Sequence, residues 1–204
     1  AGHDLARLLP TTPGDDLFLT TARGHSIRCS EVEVRPMGRT AAGVRGLKLG
    51  EGEYVVGCDV VREDGFLLVM SERGFGKRTE PHHFGTKGRG GLGMRSMKVN
   101  EERGEVVGAL VVDEGDDIFV INSSGVVIRT RVSEVSIQGR DATGVRVMNL
   151  GEDDVVAAIA PAPASNDDPD GADTIEGSLD GDAEAAAVSD DADSDIEDDS
   201  GQDG

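Results

Sequence analysis

The chain has 204 residues and a net charge of −20, with five Phe, one Tyr and no Trp, and all 20 of its Lys and Arg lie at or before position 146. Residues 1–160 carry 24 acids against those 20 bases, whereas residues 161–204 carry 16 acids and no base, so the first part is nearly balanced and the second is a polyanion. No apolar run is long enough for a membrane-spanning helix, no basic stretch with an apolar core opens the chain, and two cysteines, Cys29 and Cys58, suit neither a disulfide framework nor a metal knuckle.

Residues 1–15 read as a lead-in, followed by three units at 16–64, 65–115 and 116–162. In the first, Leu17 opens an apolar strand, Gly24 marks the turn and Arg28 follows four residues later. A Gly-Arg loop, GRTAAGVRGLKL over 38–49, then leads to a closing run at Val55, Val56 and Gly57. The second unit repeats this as Leu67, Gly74, Arg78, GRGGLGMRSMKV over 88–99, and Val106, Val107 and Gly108. The third has Ile118, Gly125, Arg129, GRDATGVRVMNL over 139–150, and Val155, Val156 and Ala157. Its four expected strands lie at 118–122, 126–131, 145–150 and 155–159, short runs rich in Val, Ile and Leu between turn residues. Past Pro163 the chain is Asp, Glu, Ala, Ser and Gly without an aromatic residue, a composition too polar to offset ordering entropy, so 163–204 is expected to be a disordered acidic tail.

A fifty-residue period of short strands and Gly turns predicts an all-β, propeller-like array of about three four-stranded blades, one unit per sheet and fewer than a closed ring normally uses. Neither the Trp-Asp pairs of WD repeats nor the Gly-Gly and aromatic signature of kelch blades recurs.

Three arginine columns share the period and account for nine of the sixteen arginines: Arg39, Arg89 and Arg140 in the loops, Arg45, Arg95 and Arg146 at the following strand, and Arg28, Arg78 and Arg129 after the hairpin. Equivalent loops on successive blades would form a curved row of guanidinium groups suited to successive phosphates of a duplex. Gly90, Gly91 and Gly93 would let the backbone approach, beside Lys87. The strand column has two readings. Arg45 shares a face with Leu47 and Leu49, so Arg45, Arg95 and Arg146 are either structural, stems laid on the core, or DNA-facing.

The segment from Lys87 to Gly93, together with VRPMGRTAAGVRG, GFGKRT, VVGALVV and GVRVMNL in order, resembles the C-terminal domain of the DNA gyrase A subunit. The resemblance covers about residues 5–162. It implies a β-pinwheel of six blades whose rim binds and wraps DNA, of which this chain, lacking an initiator Met, would be a fragment holding about the last three. The family's box, Gln-Arg-Arg-Gly-Gly-Lys-Gly, is matched by Lys87, Gly88, Arg89, Gly90, Gly91, Leu92 and Gly93, so Arg89 and the glycines at 90, 91 and 93 carry over while the Gln, one Arg and the Lys do not. The implied function is to position and bend duplex DNA in support of supercoiling by a type IIA topoisomerase. Its implied partners are double-stranded DNA, the remainder of the gyrase A subunit and the gyrase B subunit. The alternatives are the related domain of a topoisomerase IV-like protein and a protein-interaction propeller without DNA.

No catalytic residue is expected. Tyr54, the only Tyr, opens an apolar run and reads as a strand residue rather than a cleavage nucleophile, and no Gly-rich loop is followed by Lys-Ser or Lys-Thr. The ATP and Mg of the holoenzyme therefore belong elsewhere, with no cofactor and no metal expected here. Glu80, His82 and His83 read as a solvated loop, because adjacent residues of an extended segment point to opposite sides. A cytoplasmic, chromosome-associated location is expected. The excess of acids and scarcity of Lys, only four, suit a salt-rich cytoplasm. The tail reads either as a tethered competitor for the arginine rim or as a solubility segment.

Overall fold

The computed structural model describes residues 5–163, which leaves the expected acidic tail beyond Pro163 outside the described residues. Among the described residues there are eleven strands and three short 3-10 turns, with no α-helix. Strands β1 (Asp16–Thr21) and β2 (His25–Ser30) form a hairpin with Leu17 opposite Cys29 and Leu19 opposite Ile27, and β3 (Val55–Val60) pairs with the other edge of β1. The second unit contributes β4 (Phe66–Ser71), β5 (Phe75–Thr79), β6 (Met94–Arg95) and β7 (Val106–Val112). The third contributes β8 (Asp117–Asn122), β9 (Val127–Arg131), β10 (Val145–Arg146) and β11 (Val156–Pro161).

The expectation of one unit per sheet is corrected by the pairing. The sheets run β3-β1-β2-β6, β7-β4-β5-β10 and β11-β8-β9, so the third strand of the second and of the third unit crosses to the preceding blade. His25 and Ser26 face Arg95 and Met94, and Phe75 and Gly76 face Arg146 and Val145. The equivalent residues of the first unit, 44–49, form no strand, and the third blade has three strands among the described residues. Each exchanged strand is also far shorter than the six residues expected at 145–150.

The hairpin glycines make the crossing possible. Gly24 (φ +75°) and Gly74 (φ +79°) adopt the left-handed turn conformation, and a Cβ on either would lie 2.4 Å from the carbonyl oxygen of Met97 or Met148 on the crossing chain. With no side chain in the way, Gly24 O accepts from Ser96 N (2.7 Å) and Gly74 O from Val147 N (2.8 Å).

Two cores lie between the three blades. Period-two alternation splits β4 between them: Phe18, Leu67, Val69, Phe84, Met97 and Val111 fill the first, and Phe66, Leu68, Met70, Ile118, Val120 and Met148 the second. Phe18 and Phe84 meet edge to face with centroids 5.1 Å apart. A sheet enclosed on both faces is apolar throughout, and all six residues of β4 are buried. Strand β7 packs closely on β3 and on β11, since a Cβ at Gly57 would lie 2.6 Å from Ala109 O and one at Gly108 2.5 Å from Ile159 Cγ1. These three strands form the inner edge of the array, which puts β6 and β10 on the outer edge.

Candidate nucleic-acid interface

The Gly-Arg loops run along that outer edge. The second and third leave their own blade and land on the one before, where Gly93 (φ +76°) and Gly144 (φ +82°) pass within 2.7 and 2.8 Å, measured from a built Cβ, of the main-chain oxygens of Ser26 and Gly76. Successive loops touch through repeated bonds, Lys48 N to Gly91 O (2.7 Å) and Lys98 N to Ala142 O (3.2 Å). Their charge is opposite to that of the rest of the chain: 38–49, 88–99 and 139–150 together carry eight bases and one acid, Asp141.

Arg39 and Arg89 are exposed and Arg140 is half-buried. Among the described residues the guanidinium of Arg39 has no hydrogen-bond or ion-pair partner. Arg89 donates from Nε to Glu33 O (3.0 Å) and from Nη1 to Arg45 O (3.2 Å), while its main-chain N–H donates to the Glu33 carboxylate (2.8 Å). Main-chain acceptors orient that guanidinium without pairing its charge to a carboxylate. Lys87 is exposed and its N–H donates to Arg28 O (2.8 Å). In the strand column Arg45, Arg95 and Arg146 are all exposed, but Arg95 pairs with Asp141 (3.2 Å) and Arg146 lies over the Phe75 ring at 4.7 Å.

The hairpin column is tied into the fold by ion pairs and main-chain bonds. Arg28 pairs with Asp16 (2.7 Å) and Glu63 and reaches the Pro81 carbonyl (3.4 Å) of the next unit. Arg129 pairs with Asp117 (2.7 Å) and donates to Pro163 O (3.3 Å). In the second blade the residue equivalent to those two aspartates is Phe66, and the buried Arg78 lies over its ring at 4.6 Å. Arg78 also donates to Val135 O (2.7 Å), Ser133 O (3.2 Å) and Glu114 (3.2 Å). A guanidinium that is 4% exposed and bonded to the next unit brackets two blades and cannot also reach a phosphate, so the expected DNA role of Arg78 is corrected. Arg28, with carboxylates on two sides, is compensated in the same way.

Lys77 supplies the third loop with an anchor. Its side chain is buried, and Nζ donates to Gly139 O (2.5 Å) and Arg140 O (2.8 Å). Burial pushes its pKa down to about 8; Asp141 opposes this and Arg140 adds to it. The equivalent positions in the other blades are Ile27 and Ile128, so this anchor is particular to the second blade.

The family model described as "DNA gyrase C-terminal domain, beta-propeller" matches residues 15–62, 65–113 and 116–163. The chain belongs to the DNA gyrase C-terminal domain family. It is 45% identical over 156 residues to the DNA gyrase A subunit of Aminobacterium colombiense, covering 76% of this chain and 19% of that protein. It is 42% identical over 186 residues to the Escherichia coli protein of the same name, covering 91% and 21%. The chain thus spans about a fifth of the length of the curated relatives it matches. Among solved structures it resembles a DNA gyrase A C-terminal domain with a TM-score of 0.69 at 31% identity, covering 74% of this chain and 52% of that one. The C-terminal domain of DNA topoisomerase IV shares the fold with a TM-score of 0.69 at 24% identity.

In this gyrase-type domain the degenerate box at 87–93 forms the loop over the first blade. Gly91 sits over Ile27, and Gly90 N donates to Gly46 O (2.6 Å). Sequence reasoning missed Lys48 and Lys98, exposed on the same rim; their spacing of 50 was visible, but Asn149 ends the column. It also missed Lys77, whose column is otherwise isoleucine. Tyr54 lies just before β3 and is 55% exposed, where its carbonyl accepts Ala22 N–H (3.0 Å). Cys29 is buried and Cys58 half-buried, both unpaired, and burial pushes the thiol pKa of Cys29 up to about 11. Among the described residues no helix is long and apolar enough to cross a membrane.

Proposed function

We propose that the domain binds duplex DNA along its outer edge, using Arg39, Arg89 and Arg140 with Lys48, Lys87 and Lys98 to hold successive phosphates, and so positions and bends DNA for a gyrase. The observation that carries this reading is the charge segregation: eight bases and one acid on three loops of an otherwise acidic chain. Such contacts orient a duplex without reading its sequence, and bending is favoured where extra phosphate contacts offset the elastic cost. The catalysis belongs to other parts of the enzyme, the remainder of the gyrase A polypeptide and its gyrase B partner, which supply the ATP and Mg chemistry in the cytoplasm. The contact itself needs only the side chains named, with no cofactor. The 16 acids beyond residue 160 act as a tethered competitor for the same rim.

The test is the salt dependence of affinity for a mixed-sequence duplex. If about five phosphates are neutralised, affinity falls by roughly four to five decades per tenfold rise in salt, from a slope of about 0.9 per phosphate. Reversing Arg39, Arg89 or Arg140 to Glu should lower that slope by about one per lost contact. Undetectable binding at low salt would refute the reading, and an unchanged slope in all three variants would move the contact away from these loops.

A further inference from the structure

Beyond the DNA reading, we propose that Glu80, His82 and His83 form a binding site for a divalent transition-metal ion of the zinc class. Adjacent histidines point to opposite sides where the segment is extended. It is instead a 3-10 turn, Pro81–His83, with Glu80 as the residue before it. The turn brings the two imidazole rings together, with centroids 4.2 Å apart and planes 35° from parallel. The Glu80 carboxylate lies 3.7 Å from His82 Nδ1 and 3.8 Å from His83 Nε2. All three ligand atoms fall within 4.8 Å of one another. Ligands at about 2.1 Å from one zinc ion sit roughly 3.4 Å apart in tetrahedral geometry, so small rotations of exposed side chains close the set.

The backbone beneath the site is already fixed. Pro81 is buried at the start of the turn, and its carbonyl takes both Phe84 N–H (2.9 Å) and the Arg28 guanidinium (3.4 Å). Phe84 is buried against Phe18 on the other side. Between these anchors the two histidines face solvent. The other repeats form the same turn with Val32 and Glu33, or Ser133 and Glu134, at the two histidine positions, so neither blade needs imidazoles to make it. Two imidazoles and a carboxylate are a borderline N/O set, suited to zinc, nickel or cobalt rather than to magnesium or calcium. Exposure leaves the remaining positions open to water or to an outside ligand.

The experiment uses the whole chain, Zn²⁺ alone as the ligand and the ¹⁵N signals of the four imidazoles, those of His3, His25, His82 and His83. Saturable shifts confined to His82 and His83 are expected. His82→Ser, which copies the third turn, and His83→Asn should each weaken binding by at least about tenfold, as losing a metal's supporting groups does, with the circular dichroism spectrum unchanged. Uniform shifts at all four histidines, no shift, or equal Zn²⁺ affinity in both variants would overturn the proposal, the last placing the ion on the carboxylates of the chain.

Discussion

Replacing Lys77 by Met should remove a rise in stability that the native domain shows above pH 8. The unfolded chain keeps the Lys77 proton up to the ordinary value of 10.5, whereas the folded chain releases it from about 8. Between those values the unfolded state binds more protons, so unfolding free energy increases with pH, by about 1.2 kcal/mol per pH unit near pH 9 and about 3 kcal/mol over the whole window. Cys29 acts in the opposite sense. Its thiol ionises from 9.0 when unfolded and from about 11 when folded, so the unfolded state holds fewer protons there and stability falls. The native curve should therefore climb from pH 8 to 9 and flatten above it. The Lys77→Met variant should be nearly flat to about pH 8 and then decline, and Cys29→Ala should climb further than the native protein above pH 9, although the Cys58 thiol, which burial also pushes up, keeps part of the opposing slope. At pH 7.5 Lys77→Met should lie within about 2 kcal/mol of the native protein, because losing hydrogen bonds from a charged donor is offset by relief of the buried charge. Urea unfolding in half-unit pH steps provides the test. Parallel native and Lys77→Met curves from pH 7.5 to 9 would show that this amine does not titrate in the folded state as argued.

Two other perturbations separate backbone and side-chain roles. Gly93→Ala should cost roughly 3 kcal/mol in urea unfolding, because it combines a positive φ with a Cβ 2.7 Å from Ser26 O, whereas Gly90→Ala, also at positive φ but with its nearest neighbour at 3.8 Å, should cost only about 1 to 2 kcal/mol. Arg78→Met should destabilise by about 2 to 4 kcal/mol by stranding the Val135 carbonyl and losing the bond to Ser133; Arg39→Met should change stability by less than about 0.5 kcal/mol.

The repeat, the hairpins and the all-β class were legible because they depend on local chemistry. Gly24, Gly74 and Gly125 mark the same turn in each unit, and the apolar strands around them alternate with the right period. The owner of the third strand was not legible. Met94-Arg95 and Val145-Arg146 are two-residue strands, and nothing within such a pair tells which sheet edge receives it. The absent Cβ at Gly24 and Gly74 is the trace of the exchange, but it is interpretable only once Met97 and Met148 are known to pass overhead. The nearness of His82 and His83 is not legible in their adjacency, which separates the rings on an extended chain, but Pro81, at the first position of the turn, favours a 3-10 conformation.

The arginine columns show how periodicity alone misleads. A cation recurring every fifty residues has the same signature whether it meets a phosphate or a carboxylate, but a structural cation brings its partner along at the same period. Arg28 and Arg129 have Asp16 and Asp117 twelve residues earlier, and Arg28 and Arg78 have Glu63 and Glu114 about 35 residues later. No such acid column accompanies Arg39, Arg89 and Arg140; the loops at 38–49 and 88–99 contain no acid at all. Where the sequence lacked an acid, at Phe66, the guanidinium took the aromatic face instead and moved deeper into the fold. On the rim, removing every cation whose carboxylate shares its period leaves the loop arginines, with Lys48, Lys87 and Lys98, among the charges that the fold itself does not neutralise, and it is this remainder that a polyanion would meet.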